Sequence, residues 1–300
     1  MITIGSRGSQ LALWQARWGE SQITAMGQQC RIEIIKTTGD KITDVPLAKV
    51  GGKGLFTKEI EDALLAGSVD LAVHSLKDMP TELPDGLTLQ AVPEREDVRD
   101  AMIGRKLNDL QTGARVGTSS LRRAAQLKAS RPDLVIETIR GNLDTRLRKL
   151  DEGQYDAIVL AAAGLRRLGW ADRIAELLPE DVMCPAVGQG ALAIETRNDE
   201  GEAAQLSRRL NHPETRAAVT AERALLGALG GGCQVPIGAN AKVTADELTL
   251  RAVVAAPDGS QLVSGVRQGA VGNAEALGRD LASELLANGA RDILAQVYGS

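Results

Sequence analysis

Length, composition and charge limit what this chain can be. Its 300 residues exceed one ordinary core and predict two or three domains with clefts between them. The formal net charge of -4 argues against nonspecific nucleic-acid binding, and the longest apolar run, residues 157–163, is too short to span a bilayer. The opening Met1-Ile2-Thr3-Ile4-Gly5 is typical of a strand and not of a secretion signal, so we expect a cytoplasmic protein.

Cysteine and histidine usage argues against disulfides and metal ions. The chain has three cysteines, Cys30, Cys184 and Cys233, no C-x-x-C pair, and two histidines, His74 and His212. An odd number of cysteines in a chain of this length predicts free thiols. Zinc prefers cysteine and histidine ligands, which are scarce here, so the sequence predicts no metal site.

Strand-like and helix-like segments alternate along the first two thirds of the chain. In chain order they are residues 2–4, 11–26, 31–36, 55–65 and 71–73, then 115–117, 121–128, 134–139, 145 onward and 157–160. Alternation of this kind indicates a mostly parallel sheet with helices against it. Because the pattern occurs twice, we expect two similar α/β units.

Apolar strands on either side of a charged segment indicate that the chain crosses between these units. Residues 87–92 and 101–103 flank Glu94-Arg95-Glu96-Asp97, and residues 191–195 predict a strand that returns to the first unit. Two crossings would form a hinged cleft. The predicted first domain therefore comprises residues 1–95 and 190–210, and the second comprises residues 96–189.

The pattern changes after His212-Pro213. One helix is followed by a glycine-rich turn at residues 230–232, by strands at 239–243, 248–255 and 262–267, and by a helix from residue 274. This order predicts a smaller α+β domain over residues 211–300.

Two turns of the second unit have the features of an anion site. Val116-Gly117-Thr118-Ser119-Ser120-Leu121-Arg122-Arg123 predicts a strand, a turn and a helix start, where backbone amides and the helix dipole favour an anion. Arg140-Gly141-Asn142, with Arg146, repeats the arrangement after the next strand. Between residues 115 and 149 basic residues outnumber acidic ones nine to three. Since guanidinium groups bind carboxylates with paired hydrogen bonds, we expect a ligand with several carboxylates.

Two further residues allow both a functional and a purely structural interpretation. Asp78 comes just after the predicted strand 71–73, where open parallel sheets bind ligands, but it is also a common turn residue ahead of Pro80. Cys233 follows three glycines, which would let a bulky group approach its sulfur. The glycines are equally typical of a helix end beside a small buried cysteine. A hydrolytic thiol would need a base, and neither histidine lies in a recognisable partner motif.

Taken together, these segments resemble the hydroxymethylbilane synthase (porphobilinogen deaminase) family, in order and over essentially the whole chain. The most specific runs are His74-Ser75-Leu76-Lys77-Asp78-Met79-Pro80 and Gly230-Gly231-Gly232-Cys233-Gln234-Val235-Pro236-Ile237-Gly238. The other matching segments are residues 7–15, 46–56, 117–123, 140–142 and 185–190. Several long motifs in one order are hard to obtain by chance.

The resemblance implies a fold and a reaction. The fold is α/β, with two domains like periplasmic binding proteins, a hinged cleft, and a smaller C-terminal α+β domain. The reaction joins four porphobilinogen molecules head to tail with loss of ammonia, and water then releases linear hydroxymethylbilane, an early step of haem biosynthesis. By resemblance, Cys233 carries a dipyrromethane cofactor through a thioether, as the primer for chain growth.

The resemblance also implies roles for individual residues. Asp78 matches the catalytic aspartate. The arginines expected to bind cofactor or substrate carboxylates are Arg7, Arg122, Arg123, Arg140, Arg146 and Arg167. The other residues expected near cofactor or substrate are Ser9, Lys49, Lys53, Lys77, Thr118, Ser120 and Gln189. The segment 49–56 is expected to act as a cover.

Two other functions compete with this interpretation. A noncatalytic solute-binding protein for a carboxylate ligand could use the same hinged architecture, but it would have no use for Cys233. A nucleic-acid-binding protein could use the basic region 115–149, but the chain has few aromatic residues and is acidic overall. The resemblance implies a monomeric transferase with porphobilinogen as substrate, and the acidic net charge and short apolar runs predict no nucleic-acid or membrane partner.

Overall fold

The computed structural model describes residues 1–37, 57–231 and 235–298, and the chain divides into two compact units. Unit 1 comprises Met1–Arg95 and Ala191–Arg216, and unit 2 comprises Glu96–Gly190 and Ala217–Ser300. The chain therefore leaves unit 1 after Arg95 and re-enters it at Ala191, close to the two crossings that the sequence predicts.

The described residues form three sheets with helices packed against them. The strands are β1 (Ile2–Ser6), β2 (Cys30–Ile34), β3 (Leu71–Ser75), β4 (Leu87–Ala91), β5 (Asp100–Ile103), β6 (Arg115–Gly117), β7 (Val135–Glu137), β8 (Ala157–Ala161), β9 (Ile174–Leu177), β10 (Leu192–Arg197), β11 (Ile237–Thr244), β12 (Glu247–Ala255) and β13 (Leu262–Ala270). The α-helices are α1 (Gln10–Ala25), α2 (Lys58–Leu65), α3 (Leu121–Ser130), α4 (Leu143–Asp151), α5 (Ala162–Arg167), α6 (Glu202–Arg208), α7 (Pro213–Ala228), α8 (Ala274–Leu285) and α9 (Arg291–Tyr298). In the described ranges, no helix combines the length and the apolar character needed to cross a membrane.

The sheet of unit 1 has the strand order β2-β1-β3-β10-β4. β1 pairs in parallel with β2 and β3, and β10 is antiparallel to β3 and β4. Val73 and Ile194 pack on one face with Ile23 of α1, while Ile60 and Leu64 of α2 cover the other face. As neighbouring parallel strands, β1 and β3 end at the same edge of the sheet.

The sheet of unit 2 repeats this arrangement with the order β7-β6-β8-β5-β9. β6 is parallel to β7 and β8, and β5 is antiparallel to β8 and β9. In each sheet, the one strand of opposite direction is the first after a crossing of the chain: β5 follows Arg95 and β10 follows Gly190. The two mostly parallel α/β units that the sequence predicts are confirmed.

The C-terminal part of unit 2 has its own antiparallel sheet, β11-β12-β13, and its own apolar core. Leu250 and Val254 of β12 pack there with Leu281 and Leu285 of α8. Gly278 of α8 lies so close to α7 that a Cβ would overlap the carbonyl oxygen of Ala221. The predicted fold class, two α/β domains and a smaller C-terminal α+β domain, is confirmed.

The sequence pattern missed four elements, β9, α5, α6 and α9. Every residue of β9 is half-buried, so the strand lacks the alternation that marks a strand in a sequence. The helix α5 continues the apolar strand β8 without a break, which hides the boundary between them. Gly289, with φ of 108°, interrupts the helical segment between α8 and α9.

Candidate active site

The first candidate site is a small pocket in unit 1, at the edge where β1 and β3 end. Its wall includes Arg7 and Ser9, which follow β1. It also includes His74 and Ser75 at the end of β3, and Asp78 in the short 3-10 turn that follows. Parallel pairing of β1 with β3 brings these residues to the carboxyl edge of the sheet, where such sheets bind ligands.

Hydrogen bonds from α1 fix the shape of this pocket. Ser9 caps the helix, because its side chain accepts a hydrogen bond from the Ala12 backbone N–H at 3.4 Å. Gln15 donates from Nε2 to Ser75 Oγ at 2.7 Å and so ties the helix to the end of β3. The pocket wall is therefore held by both the strand ends and α1.

Asp78 is the exposed carboxylate of this pocket. Leu76 and Met79 on either side of Lys77-Asp78 are buried, with 1% and 3% exposure, and they anchor the turn. The Asp78 side chain is exposed, and it makes no hydrogen bond or ion pair with another residue of the described ranges. Its carboxylate is therefore available to a ligand.

A buried imidazole and two buried carboxylates lie beside the same pocket. His74 Nε2 is 2.9 Å from Glu195 Oε2 on β10, and both side chains are buried. Glu61 of α2 is also buried, and its pKa is raised, chiefly by burial. The charge of Glu195 adds to this rise. No motif in the sequence indicated this cluster.

The second candidate site lies in unit 2, where β6 and β7 end side by side. The Thr118 backbone N–H donates to the last residue of β7 at 2.8 Å, and Ser119 Oγ donates to the carbonyl of Ile139. Ser120 caps α3 by accepting a hydrogen bond from the Arg123 backbone N–H at 3.4 Å. The hydroxyl-rich turn and the helix start are therefore where the sequence predicts them.

Arg122 and Arg123 extend from this helix start into the protein interior. They are 3% and 6% exposed, and both bind Asp100, which is fully buried at the start of β5. Arg122 Nη1 is 2.7 Å from Asp100 Oδ2, and Arg123 Nη2 is 2.7 Å from Asp100 Oδ1. Burial alone would raise the pKa of Asp100, but the two guanidinium charges outweigh burial and hold that pKa well below its ordinary value.

Gln189 and Arg167 brace the segment that precedes β10. Gln189 is fully buried and donates from Nε2 to Asp100 Oδ1 at 2.9 Å and to the Val98 carbonyl at 2.7 Å. Arg167 of α5 donates from Nη2 to the Gly190 carbonyl at 2.6 Å. Burial lowers the pKa of Arg167 to about 10, although Glu96 nearby favours the charged form. Three predicted ligand-binding residues, Arg122, Arg123 and Gln189, thus share one internal carboxylate.

Arg140 differs from Arg122 and Arg123 because its guanidinium group binds no other residue in the described part of the chain. The side chain is half-buried, and its guanidinium makes no hydrogen bond or ion pair with the residues described here. Only its backbone carbonyl is bonded, to Lys149 Nζ at 3.3 Å. Arg146 Nε donates to the Gly141 carbonyl at 2.8 Å, in the same turn. Arg140 therefore keeps its side-chain donors for a ligand.

Comparison with known proteins identifies the family. Residues 2–205 match the model for "porphobilinogen deaminase, dipyromethane cofactor binding domain", and residues 216–287 match the model for the porphobilinogen deaminase C-terminal domain. The chain belongs to the porphobilinogen deaminase family. Its relatives include porphobilinogen deaminases of Syntrophobacter fumaroxidans (53% identical, covering 99% of this chain and 98% of the relative) and Geobacter metallireducens (55% identical, covering 99% and 95%).

Among the solved structures that match weakly are two binding proteins. A periplasmic substrate-binding protein from Coxiella burnetii has a TM-score of 0.44 at 13% identity, covering 74% of this chain and 97% of that one. A nutrient-binding protein from Burkholderia cenocepacia bound to methionine has a TM-score of 0.44 at 14% identity, covering 72% and 93%. Structural similarity this low gives no basis for assigning a ligand. The family assignment therefore rests on the sequence matches alone.

The described residues fit the dipyrromethane cofactor of the porphobilinogen deaminase family. That group is a ligand with several carboxylates, and the edge of unit 2 offers a capped helix start and the open guanidinium of Arg140. The pocket of unit 1 groups the predicted residues Arg7, Ser9 and Asp78, with Lys77 in the same turn. Thr118, Ser120, Arg140 and Arg146 lie at the edge of unit 2, whereas the side chains of Arg122 and Arg123 extend from that edge into the interior. The predictions for Lys49, Lys53, the segment 49–56 and Cys233 lie outside the described residues.

Asp100→Asn should destabilise the enzyme strongly at neutral pH. The change removes the charge that compensates Arg122 and Arg123 in the interior, a loss that costs roughly 3–5 kcal/mol for a buried pair. The pKa of Asp100 in the folded protein lies below its unfolded value of about 3.9. The stabilisation from the charged Asp100 is therefore fully present above a pH of about 3.9 and is lost as the pH falls toward the folded pKa. Urea unfolding midpoints of wild type and variant should converge in acid.

The matched control is Asp133→Asn, which breaks a partly exposed pair with Arg131. It should move the midpoint little, because solvent screens such pairs. Equal midpoints for wild type and Asp100→Asn at neutral pH would show that the buried network adds no stability.

Proposed function

We propose that Asp78 carries the chemistry of this enzyme and that the turns after β6 and β7 hold its carboxylate-bearing ligands. As a porphobilinogen deaminase, the chain is a transferase that joins four porphobilinogen molecules head to tail and releases hydroxymethylbilane. The observation that carries the proposal is the open Asp78 carboxylate, in a pocket with Arg7 and Ser9 at the carboxyl edge of the sheet.

Asp78 suits a reaction that creates positive charge. The pyrrole nitrogen of porphobilinogen gains positive charge as ammonia leaves the aminomethyl group, and it does so again when the new carbon–carbon bond forms. A fixed carboxylate stabilises both charged states more than the neutral ground state, which is what accelerates a reaction. Since Asp78 has no competing partner among the described residues, its charge is free to act on the substrate.

The residues of unit 2 suit the binding of acidic side chains. Each porphobilinogen carries an acetate and a propionate, so a growing chain presents many carboxylates. Arg140 offers open guanidinium donors, and the backbone amides at the start of α3 add a partial positive charge. Arg122 and Arg123 start from the same turn, but their buried side chains bind Asp100 and so brace the turn from the interior. Binding of ligand carboxylates by this edge is therefore the proposed role.

The dipyrromethane cofactor, when bound, supplies the free pyrrole α-carbon to which the first porphobilinogen is joined. We propose that Cys233 holds it through a thioether. The two described thiols are poor alternatives: burial raises the pKa of Cys184 to about 12, and burial with the nearby charge of Glu20 raises the pKa of Cys30. Thiolates are the reactive form, so both are kept in the unreactive state.

Incubation of the purified enzyme with porphobilinogen tests this function against its alternative. The expected result is consumption of porphobilinogen, release of ammonia, and formation of hydroxymethylbilane. A noncatalytic solute-binding protein would bind porphobilinogen and leave it unchanged. Binding without consumption would therefore replace the proposed function by that alternative.

Arg140→Leu should impair cofactor assembly or the first additions. A hydrogen bond to a charged group contributes roughly 1.5–3 kcal/mol, so kcat/KM for porphobilinogen should fall about 10- to 100-fold. The measurement is steady-state turnover together with the denatured mass of the protein. Arg148→Leu is the matched control, because Arg148 is exposed and, among the described residues, pairs with Glu152 just after the end of the helix. Unchanged assembly and kinetics in Arg140→Leu would count against its role.

The oligomeric state, the cellular location and the partners of the enzyme are further proposals, which are based on the sequence. We propose a cytoplasmic monomer without a nucleic-acid partner, supported by the acidic net charge and the sequence resemblance. Light scattering of the purified enzyme tests the oligomeric state, and a mass of two chains would contradict it.

A further inference from the structure

The pocket that contains Asp78 also contains a histidine held by a buried carboxylate. His74 lines the pocket, and its Nε2 lies 2.9 Å from Oε2 of Glu195, which has no exposed surface. A carboxylate accepts the hydrogen bond, so the neutral ring carries its proton on Nε2. Among the described residues the other ring nitrogen, Nδ1, makes no hydrogen bond. This arrangement leaves one nitrogen for proton exchange while the other is fixed in place.

Charged groups on several elements surround this pair. His74 lies on β3, Glu195 on the adjacent β10, and Glu61 on α2, which covers that face of the sheet. Glu59 lies on the same helix, and the pocket itself adds Arg7 and Asp78. These groups do not form a metal site in the described part of the chain, since no set of three or more suitable ligands occurs there.

The two buried carboxylates favour keeping a proton within the cluster. Glu61 and Glu195 repel each other when both are charged, and burial raises the pKa of Glu61. Each has one buried oxygen, Oε1, without a hydrogen bond from a described residue. A proton in this cluster therefore relieves like-charge repulsion, and the His74 ring is where the cluster meets the pocket.

We propose that the His74–Glu195 pair is a proton relay for the pocket of Asp78. Each addition breaks the bond between the methylene carbon and the nitrogen of porphobilinogen, and the electron pair leaves with ammonia. A bond then forms between that carbon and a pyrrole α-carbon, whose hydrogen departs as a proton. His74 takes up this proton and passes it to the amino nitrogen of the next porphobilinogen, which then leaves as ammonia, so the pair returns to its starting state with each addition. The inference rests on the role proposed for Asp78, because it places the chemistry at this pocket.

The different contacts of Asp78, His74 and Glu195 indicate a different role for each of them. Asp78, exposed and without a partner among the described residues, stabilises charge on the substrate, whereas His74 exchanges protons through its second ring nitrogen. Glu195 is a positioning residue, which fixes the ring and stabilises its charged form. Removing either member should therefore lower kcat and leave KM nearly unchanged.

Kinetics of His74→Gln, Glu195→Gln and the double variant test the relay. General acid–base catalysis contributes about 10²- to 10⁴-fold, so kcat should fall at least about 100-fold in His74→Gln and by a smaller factor in Glu195→Gln. The double variant should be no slower than His74→Gln, because the pair acts as one unit. His212→Gln, at the only other histidine, is the matched control and should keep the wild-type kcat.

Two further measurements do not depend on turnover. Denatured masses should show the same cofactor content in all variants, which separates loss of the relay from failure of the proposed cofactor assembly. In ¹⁵N-histidine-labelled His212→Gln, only the His74 ring gives a signal, and its neutral form should carry the proton on Nε2. The wild-type kcat in Glu195→Gln, or a neutral His74 ring with its proton on Nδ1, would overturn the proposal even if His74→Gln does not fold.

Discussion

Replacing Asp78 by asparagine should reduce turnover by roughly 10²- to 10⁴-fold, the range by which charge stabilisation and proton transfer contribute to catalysis. Asparagine has nearly the same shape but no charge, so it cannot stabilise a cationic pyrrole. Folding should change little, because the Asp78 side chain is exposed and makes no contact with described residues that the substitution would break. Rates of ammonia release and of porphobilinogen consumption measure the effect.

Asp85→Asn is the matched control, since Asp85 is also an exposed aspartate of unit 1 but lies outside the pocket wall. It should retain wild-type turnover. Near-normal product formation in Asp78→Asn would remove Asp78 from the mechanism. If Asp78→Asn loses turnover but has the cofactor mass and unfolding midpoint of the wild type, the loss belongs to the chemistry and not to assembly or folding.

Hydrophobic periodicity predicted the α/β framework because the framework depends on local patterns. The strand at residues 115–117 was predicted with the bounds it has, and α1 differs from its prediction by one residue at each end. The mostly parallel character of the two sheets followed from the alternation of strands and helices, whereas the order of the strands was not predicted. The half-buried strand β9 lacks such a pattern and escaped prediction.

The sequence predicted those parts of the candidate site whose position is determined by the end of a strand. The position of Asp78 after β3, and of the turns after β6 and β7, follows from the rule that parallel strands present ligands at their carboxyl ends. What each side chain contacts was not predictable. Arg123 and its partner Asp100 are 23 residues apart, and nothing in the local sequence marks Asp100 as buried.

The same limit explains why the His74–Glu195 pair escaped the sequence analysis. The two residues are 121 positions apart and become neighbours only because β10, after the second crossing, pairs with β3. His74 was considered as a metal ligand or as the base for a thiol, and the sequence offered no carboxylate partner for it. A polar residue within an apolar strand, as Glu195 is within β10, was the available signal, because a buried charge requires a partner.

The denatured mass of the purified enzyme should exceed the mass of its chain by two deaminated porphobilinogen units, and Cys233→Ser should lack this excess. A thioether survives denaturation, whereas a bound solute is released. Cys30→Ser is the matched control and should keep the excess, because burial and the charge of Glu20 raise the pKa of the Cys30 thiol and so make it less reactive. Mass spectrometry of the three proteins side by side makes the comparison.

A wild-type protein that shows no excess can still be tested by adding porphobilinogen and measuring the mass again. An excess that then appears in wild type and Cys30→Ser, and not in Cys233→Ser, establishes both the anchor and the ability of the enzyme to build its own cofactor. An excess that persists in Cys233→Ser would place the attachment on another residue. Continued absence in the wild type would refute attachment of a dipyrromethane and would favour noncatalytic binding of a carboxylate solute, because additions that start from a covalent primer cannot proceed without one.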